Sequence, residues 1–366
     1  MYINFWYPIC TTQDLQDAGP LRARVLGAQF VAFRDAAGVA HVLADTCVHR
    51  GGSLGKGQVK DDCIVCPYHG WRYSGDGRCQ LIPSLDANSN PPARAKVDSY
   101  PVQEKYGIVF AFLGDMPEEE RPPIFAIEEF QQAGWRASEI MILDVPCFYE
   151  RSIENGLDFA HNEFVHPLQG SPKVYMDTMT IEEIPWGVKI SARMGEDDAS
   201  HSRMENVTRD PNTLGASSLH HGPNTLVTTI NFSATNCLTQ YFFEAPVDEN
   251  HTKIYFVNMR NCMLDPAMDD RVRDINLNIT AEDIDILENL FPVRTPATTT
   301  REILMPADEG ILRFRQGLND WRARGWRVDS KRLRKVSGDV AYAIPCPDRR
   351  ASGNWVLEPV PVLSPE

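Results

Sequence analysis

Two groups of residues in this chain have the types and spacing to do metal chemistry. The first is CVHRGGSLGKGQVKDDCIVCPYHGW, in which Cys47-x-His49 is followed, sixteen residues on, by Cys66-x2-His69. Each half offers one thiolate and one imidazole at the tip of a turn. Gly51, Gly52, Gly55 and Gly57 follow the first pair, and Pro67 and Gly70 punctuate the second. Such loops let the backbone close around an ion or cluster and turn its N–H groups toward sulfur. The second group is ENGLDFAHNEFVH, residues 154–166, with Asn155, Asp158, His161 and His166. Two histidines joined by one carboxylate from elsewhere form the ligand set of a non-heme Fe(II) site with positions open for O2.

A third cysteine complicates the first group, because Cys63-Ile-Val-Cys66 also reads as a CxxC redox pair. Side chains alternate faces along a strand, so Cys63 and Cys66 have opposite parity while the chain stays extended. Ile64 and Val65 favour extension up to Pro67, which leaves Cys63 as a small buried hydrophobe. A thioredoxin-type pair is weaker again, since no helix follows Cys66. A structural Cys2His2 zinc site is the plain alternative, but its usual spacing sets Cys with Cys and His with His. Here each half contributes one of each, the arrangement of a Rieske [2Fe–2S] cluster.

In the second group, Asn155, Asp158 and His161 fall on one side of a helix read over 148–164. His161 and His166 are five apart, about 140° on an ideal helix. Pro167 resolves this by pushing His166 out of the helical region. The carboxylate is sought on the helix NLNITAEDIDILENL, 276–290, whose apolar stripe runs through Ile275, Ile279, Ile286 and Leu290. Asp283 lies about 40° from Ile279 and Glu282 about 60° on the other side, while Asp285 and Glu288 point away. A carboxylate in an apolar stripe is costly unless paired or metal-bound. The competing explanation is a capping box at Thr280-x-x-Asp283. Geometry prefers Asp283 to Glu282 only slightly. The remaining histidines, His41, His201, His220, His221 and His251, read as residues of solvated strands and loops.

The elements that must position these groups fall into two regions. With 366 residues the chain exceeds one ordinary hydrophobic core. Residues 1 to about 114 read as all-β, with strands at 28–33, 39–43 and 108–113 separated by turns. The acidic, proline-rich DMPEEERPP, 115–123, marks a boundary. Beyond it come the helix at 148–164, strands at 186–193, 225–232, 238–244 and 253–258, and helices near 266–290 and 309–324. Residues 194–224 are polar and read as a long loop or lid. Strands and helices without βαβ alternation give an α+β class on an antiparallel sheet. A formal net charge of −14 argues against nucleic-acid or anionic-membrane partners. Nine cysteines, an odd number, do not form a disulfide framework. MYINFWYPIC lacks the features of a signal peptide, and no apolar run is long enough for a membrane span. A reducing cytoplasm is therefore expected.

The C-x-H, C-x2-H-G-W pattern and the later N-x2-D-x2-H-x4-H and EDIDILE stretches resemble the Rieske non-heme iron oxygenases, over nearly the whole chain. The short N-x2-D spacing is similar to aromatic O-demethylases such as vanillate and dicamba monooxygenases, and to phthalate-type enzymes. The resemblance implies an N-terminal Rieske domain, 1–115, and a catalytic mononuclear-iron domain, 116–366, of the helix-grip, START-like kind. Cys47 and Cys66 would bind one cluster iron and His49 and His69 the other, at a potential of roughly −150 to +300 mV. His161, His166 and Asp283 would bind the mononuclear Fe(II). Asp158 would bridge His161 and, across a subunit interface, His69, and Asn155 would support the iron. NAD(P)H would act through an external reductase, with or without a ferredoxin, because the chain shows no GxGxxG loop. A homotrimer with electron transfer between subunits follows, since heterologous contacts close into rings. Activity on a small, aromatic or cyclic substrate would be hydroxylation or oxidative demethylation with formaldehyde release. Ring cis-dihydroxylation is the alternative, and a Rieske electron carrier with a ligand-binding domain the rival of another class.

Overall fold

The structure is a computed structural model that describes residues 1–364, except 87, 168–171, 196–209, 211–212, 297 and 337. The chain divides into two units, Met1–Ile124 with Trp321–Glu366, and Phe125–Asp320. This differs from the expected 1–115 and 116–366, because the last segment returns to the first unit. Aromatic burial accounts for the return. Phe5 meets Trp321 and Trp326 edge-on at centroid distances of 4.9 and 5.8 Å. Asp98, fully buried, is paired by Arg349 at 2.5 and 2.8 Å.

Among the described residues the first unit has three small antiparallel sheets and one parallel pair, Tyr342–Ala343 with Glu358–Pro359. One pairs Phe5–Thr11, Ile108–Leu113 and Val102–Lys105, and Ile108–Leu113 is buried along its whole length. A second carries Leu21–Val25, Ala28–Arg34, Ala40–Ala44 and Ser99–Tyr100. The third, Gln58–Lys60, Cys63–Val65, Arg72–Tyr73 and Cys79–Leu81, presents the cysteine-histidine loops. A helix the sequence reading missed, Thr12–Ala18, is capped by the Thr11 hydroxyl, which accepts from Asp14 N–H.

The second unit is one eight-stranded antiparallel sheet packed against helices. Strands Lys173–Ile184, Gly187–Gly195, Gly215–His221, Thr225–Asn231, Cys237–Pro246 and Thr252–Arg260 run as a meander. The preceding strands Met141–Val145 and Arg136–Ala137 both pair with Thr252–Arg260. The α+β class therefore stands. The expected loop 194–224 is corrected in part. Gly215–His221 is a central strand whose serines and histidines kept it from looking β-like, and 196–209 and 211–212 lie outside the described residues.

Three helices matter for function: Tyr149–Leu157, Asn162–Val165 and the long helix Asp269–Leu287. The long helix buries Val272, Ile275, Asn276 and Leu287, so its inward stripe continues through Ile279 and Asp283. Ile286 and Leu290 are 42% and 36% exposed, a correction to the expected stripe. Leu287 packs with Leu143, Val145, Ile254 and Phe256 of the sheet. Each such buried side chain stabilises the fold by about 1.5–3 kcal/mol. Among the described residues no helix is long and apolar enough to cross a membrane.

Candidate cluster and iron sites

The two loops of the first unit repeat one backbone design. Cys47 N–H donates to Gly52 O and Cys66 N–H to Trp71 O, both at 2.8 Å. Gly51 N–H returns to Cys47 O and Gly70 N–H to Cys66 O, both at 2.9 Å. Gly51 and Gly70 sit at φ 74° and 73°, where a side chain would be strained. The loops place Cys47 and Cys66 side by side, each 2% exposed, while His49 and His69 reach solvent. The two imidazole rings lie 4.4 Å apart, and His49 stacks on Trp71 at 4.6 Å. A Cβ at Gly52 would come to 3.0 Å from Cys66 Sγ, so glycine lets the first loop close on the second. The Tyr73 hydroxyl meets Cys47 Sγ at 3.1 Å. Two buried sulfurs and two exposed imidazoles fit a cluster with one thiolate-held and one imidazole-held iron. Cys63, in its strand and 7% exposed, is a buried thiol whose pKa is raised by desolvation.

In the second unit the chain leaves the helix after Leu157, with Asp158 at φ −96°, ψ 104°. It re-enters at Asn162, so His161 is an N-cap and not a residue of one continuous 148–164 helix. His166 ends the short helix at φ −111°, ψ 65°, outside the helical region, as a residue before Pro167 should be. This break brings the histidines together in spite of their five-residue separation. Their Nε2 atoms are 3.2 Å apart, and Asp283 Oδ1 lies 3.5 Å from that of His161 and 3.3 Å from that of His166. Among the described residues this is the one group of three or more His, Cys, Asp or Glu close enough to share an ion.

The other ring nitrogens are held by the protein. His161 Nδ1 donates to the Asp158 backbone carbonyl, and His166 Nδ1 donates to Glu282 Oε2 at 3.0 Å. Both Nε2 lone pairs are thereby aimed at one point, the tautomer a metal requires. Asn155 Nδ2 donates to Asp283 Oδ1 at 2.9 Å. When the imidazoles also carry a proton on Nε2, their hydrogen bonds to Asp283 outweigh burial and hold its carboxyl well below the usual range. The donor set fits a divalent iron.

The structure departs from expectation at Asp158 and leaves Glu282 and Thr280 outside the triad. Asp158 meets His161 through its main chain, and its carboxylate accepts Ala160 N–H at 2.8 Å, because the chain turns at the helix end. Glu282, a rival ligand in the sequence, sits beside the site as the partner of His166. Thr280 lies mid-helix and donates back to Asn276 O, so it caps nothing. Adjacent acids about 100° apart on a helix could have signalled one ligand and one supporting residue. His220 and His221 are 2% and 9% exposed rather than solvated; burial pushes His220 down to about 4, and it packs edge-on against Phe314. His201 lies outside the described residues.

A cavity of about 110 Å3 opens at the triad. Phe159, Leu226, Phe242, Ile254, Ile279 and Leu287 make it largely apolar. Ser152, also on its wall, donates to Glu244 Oε1 at 2.7 Å. Glu244 is fully buried, its Oε2 has no partner, and burial pushes its carboxyl up to about 8.

Two family profiles match the chain: the Rieske [2Fe-2S] domain over residues 5–101, and the vanillate O-demethylase oxygenase C-terminal domain over residues 145–324. Methylxanthine N1-demethylase NdmA of Pseudomonas putida is 28% identical over 339 residues, 87% of this chain and 88% of that protein. The oxygenase component of 3-ketosteroid-9-alpha-monooxygenase from Rhodococcus rhodochrous is 32% identical over 166 residues, 44% of this chain and 43% of that protein. The solved structure of Pseudomonas putida NdmA with caffeine superposes with a TM-score of 0.74 at 24% identity, covering 88% of this chain and 91% of that one. Dicamba monooxygenase bound to 3,6-dichlorosalicylic acid gives 0.73 at 20% identity, covering 87% and 96%. Both likenesses show a shared fold.

Proposed function

Since the chain belongs to the Rieske non-heme iron oxygenases as an oxygenase component, we propose that it monooxygenates a small cyclic or aromatic molecule, by hydroxylation or oxidative demethylation. The observation that carries this reading is the His161, His166 and Asp283 group at the mouth of an apolar cavity. Similarity to an N1-demethylase over 87% of the chain, against 44% for a 3-chlorobenzoate dioxygenase, supports demethylation over ring dihydroxylation. When bound, the cluster supplies single electrons and the mononuclear iron supplies O2 activation.

The protein's own part is positioning. Cys47 and Cys66 would hold one cluster iron and His49 and His69 the other. His161 Nε2, His166 Nε2 and Asp283 Oδ1 would hold the mononuclear iron, with the Asp158 carbonyl and Glu282 fixing the imidazoles. Asn155 keeps Asp283 Oδ1 in place by its N–H. The apolar wall excludes water and holds the substrate. Electrons would pass from His69 of one subunit to the Asp158–His161 segment of a neighbour within a homotrimer. The solvent-facing His69 and the bond from Asp158 O to His161 Nδ1 support that route. Reduction would come from an NAD(P)H-dependent reductase, with or without a ferredoxin. A cytoplasmic location belongs to the same reading, supported by nine free cysteines.

Iron analysis tests it. Purified holoprotein should carry three irons per chain, and formaldehyde should appear with N-methyl or methoxy aromatics, reductase and O2. Asp283→Ala should carry two irons with an unchanged Rieske absorbance, whereas Glu282→Gln should retain three and bind the third more weakly. Two irons in the parent protein would instead make it an electron carrier.

A further inference from the structure

The cavity floor is a sheet surface with one polar row between two apolar rows. Alternation along Thr225–Asn231 puts Leu226, Thr228 and Ile230 on the cavity face. Across the strands, Ser218 pairs with Thr228 and Thr228 with Gln240. The row on one side is Ala216–Ile230, and on the other Leu226–Phe242. All of these residues line the cavity, facing Ile279 and Leu287 of the long helix.

The polar row has hydrogen-bonding capacity to spare. Ser218 Oγ and Thr228 Oγ1 are 3.1 Å apart, so one hydroxyl proton serves their mutual bond and the other remains to donate. Gln240 Nε2 donates to Asn276 Oδ1 at 3.0 Å, which leaves a second N–H. Inverting both amides would pair the otherwise unpartnered Asn276 Nδ2 with Gln240 Oε1 and free both Gln240 N–H groups. In either orientation the row keeps at least two donors, one hydroxyl and one amide. Neutral donors in an apolar cavity are satisfied by a ligand acceptor, and leaving them unmet is costly. The charge balance points the same way. Among the described residues lining the cavity the ionisable ones are His161, His166 and Asp283, with no lysine or arginine. Among the described residues a substrate carboxylate would find no lysine or arginine there, and the charge of the iron would already be shared with Asp283.

We infer that the substrate is an uncharged small molecule bearing a carbonyl acceptor, an amide or cyclic amide, seated by the Ser218–Thr228 hydroxyls and Gln240. An aromatic carboxylate is the wrong class for this cavity. The inference rests on the oxygenase reading of the same site, and it makes Thr228 and Gln240 its specificity-determining residues.

A pair matched in shape and different in charge tests it: 2-methoxybenzamide and 2-methoxybenzoate, titrated calorimetrically into holoprotein at pH 7.5. The benzamide should bind at least tenfold more tightly. Gln240→Leu and the double variant Ser218→Ala/Thr228→Val should each weaken benzamide binding about three- to tenfold, the span of one or two neutral hydrogen bonds. Benzoate binding should stay within twofold. Equal binding, tighter benzoate binding, or no binding of either overturns the inference, as do variants that leave the selectivity unchanged. Iron content separates the two ideas. Two irons per chain with the selectivity intact refutes the oxygenase, and three irons with inverted selectivity refutes the substrate class.

Discussion

Glu244 offers the most quantitative test of the packing around the site. It is fully buried, accepts one hydrogen bond from Ser152 at 2.7 Å, and has no partner for Oε2. Its titratable neighbour Cys147 is itself a buried thiol, pushed up to about 12. Burial moves the Glu244 carboxyl from 4.5 to about 8. The unfolded chain therefore loses this proton near pH 4.5, while the folded chain keeps it until about pH 8. Below 4.5 both states are protonated and the fold bears no penalty. Between the two values the unfolded state binds fewer protons, so stability falls as pH rises, and above 8 the loss is complete. At 1.36 kcal/mol per pH unit the penalty is about 3 kcal/mol at pH 7 and up to about 5 above pH 8. Glu244→Gln keeps an oxygen for the Ser152 hydroxyl and removes the titration. Urea unfolding of both proteins from pH 5.5 to 8.5 should show the variant's advantage growing by up to about 1.4 kcal/mol per pH unit, then levelling. A difference independent of pH would refute the assignment of a neutral buried acid.

Asp158→Asn keeps the backbone carbonyl that orients His161 and removes only the carboxylate. Single-turnover electron transfer to the mononuclear iron should slow while iron content holds; unchanged transfer would confine Asp158 to its main-chain role. Tyr73→Phe removes the hydroxyl 3.1 Å from Cys47 Sγ. The reduction potential measured by spectroelectrochemistry should fall, because a hydrogen bond to sulfur favours the reduced cluster. Gly156→Ala would set a Cβ 2.2 Å from Leu226 Cδ2, and Leu226 lines the cavity. The helix gains about 1 kcal/mol from the alanine and overpacking costs about 1–3, so stability should fall by no more than about 2 kcal/mol. Displacement of Leu226 into the cavity should appear as weaker substrate binding, and unchanged binding would show that the leucine has room elsewhere.

The sites were legible where side-chain type and local backbone act together. Cys63 and Cys66 could be separated by strand parity alone, and the proline after His166 announced the turn that aims it. What stayed hidden depends on partners distant in sequence. Nothing near residue 158 says that its carbonyl, and not its carboxylate, will meet His161; that follows from the helix stopping at Leu157. Choosing between Glu282 and Asp283 required knowing where the inward face of Asp269–Leu287 lies, and Ile286 and Leu290, which face solvent, left Asp283 only slightly preferred. Gly215–His221 was missed as a strand for a related reason. Its buried serine and histidines are tolerated by cross-strand hydrogen bonds and ring packing, which composition does not display.

The return of Trp321–Glu366 to the first unit has a consequence for how the protein is made. A ribosome that has finished Ile124 has not yet supplied Trp321 and Trp326 for Phe5 or Arg349 for Asp98. At 5–20 residues per second the intervening segment takes roughly 10–40 s to synthesise. During that interval Phe5 and Asp98 lack these partners, while residues 125–320 emerge with their own core intact. The portion of the molecule begun first is completed last, so an early stop in translation damages the beginning of the chain as well as its end.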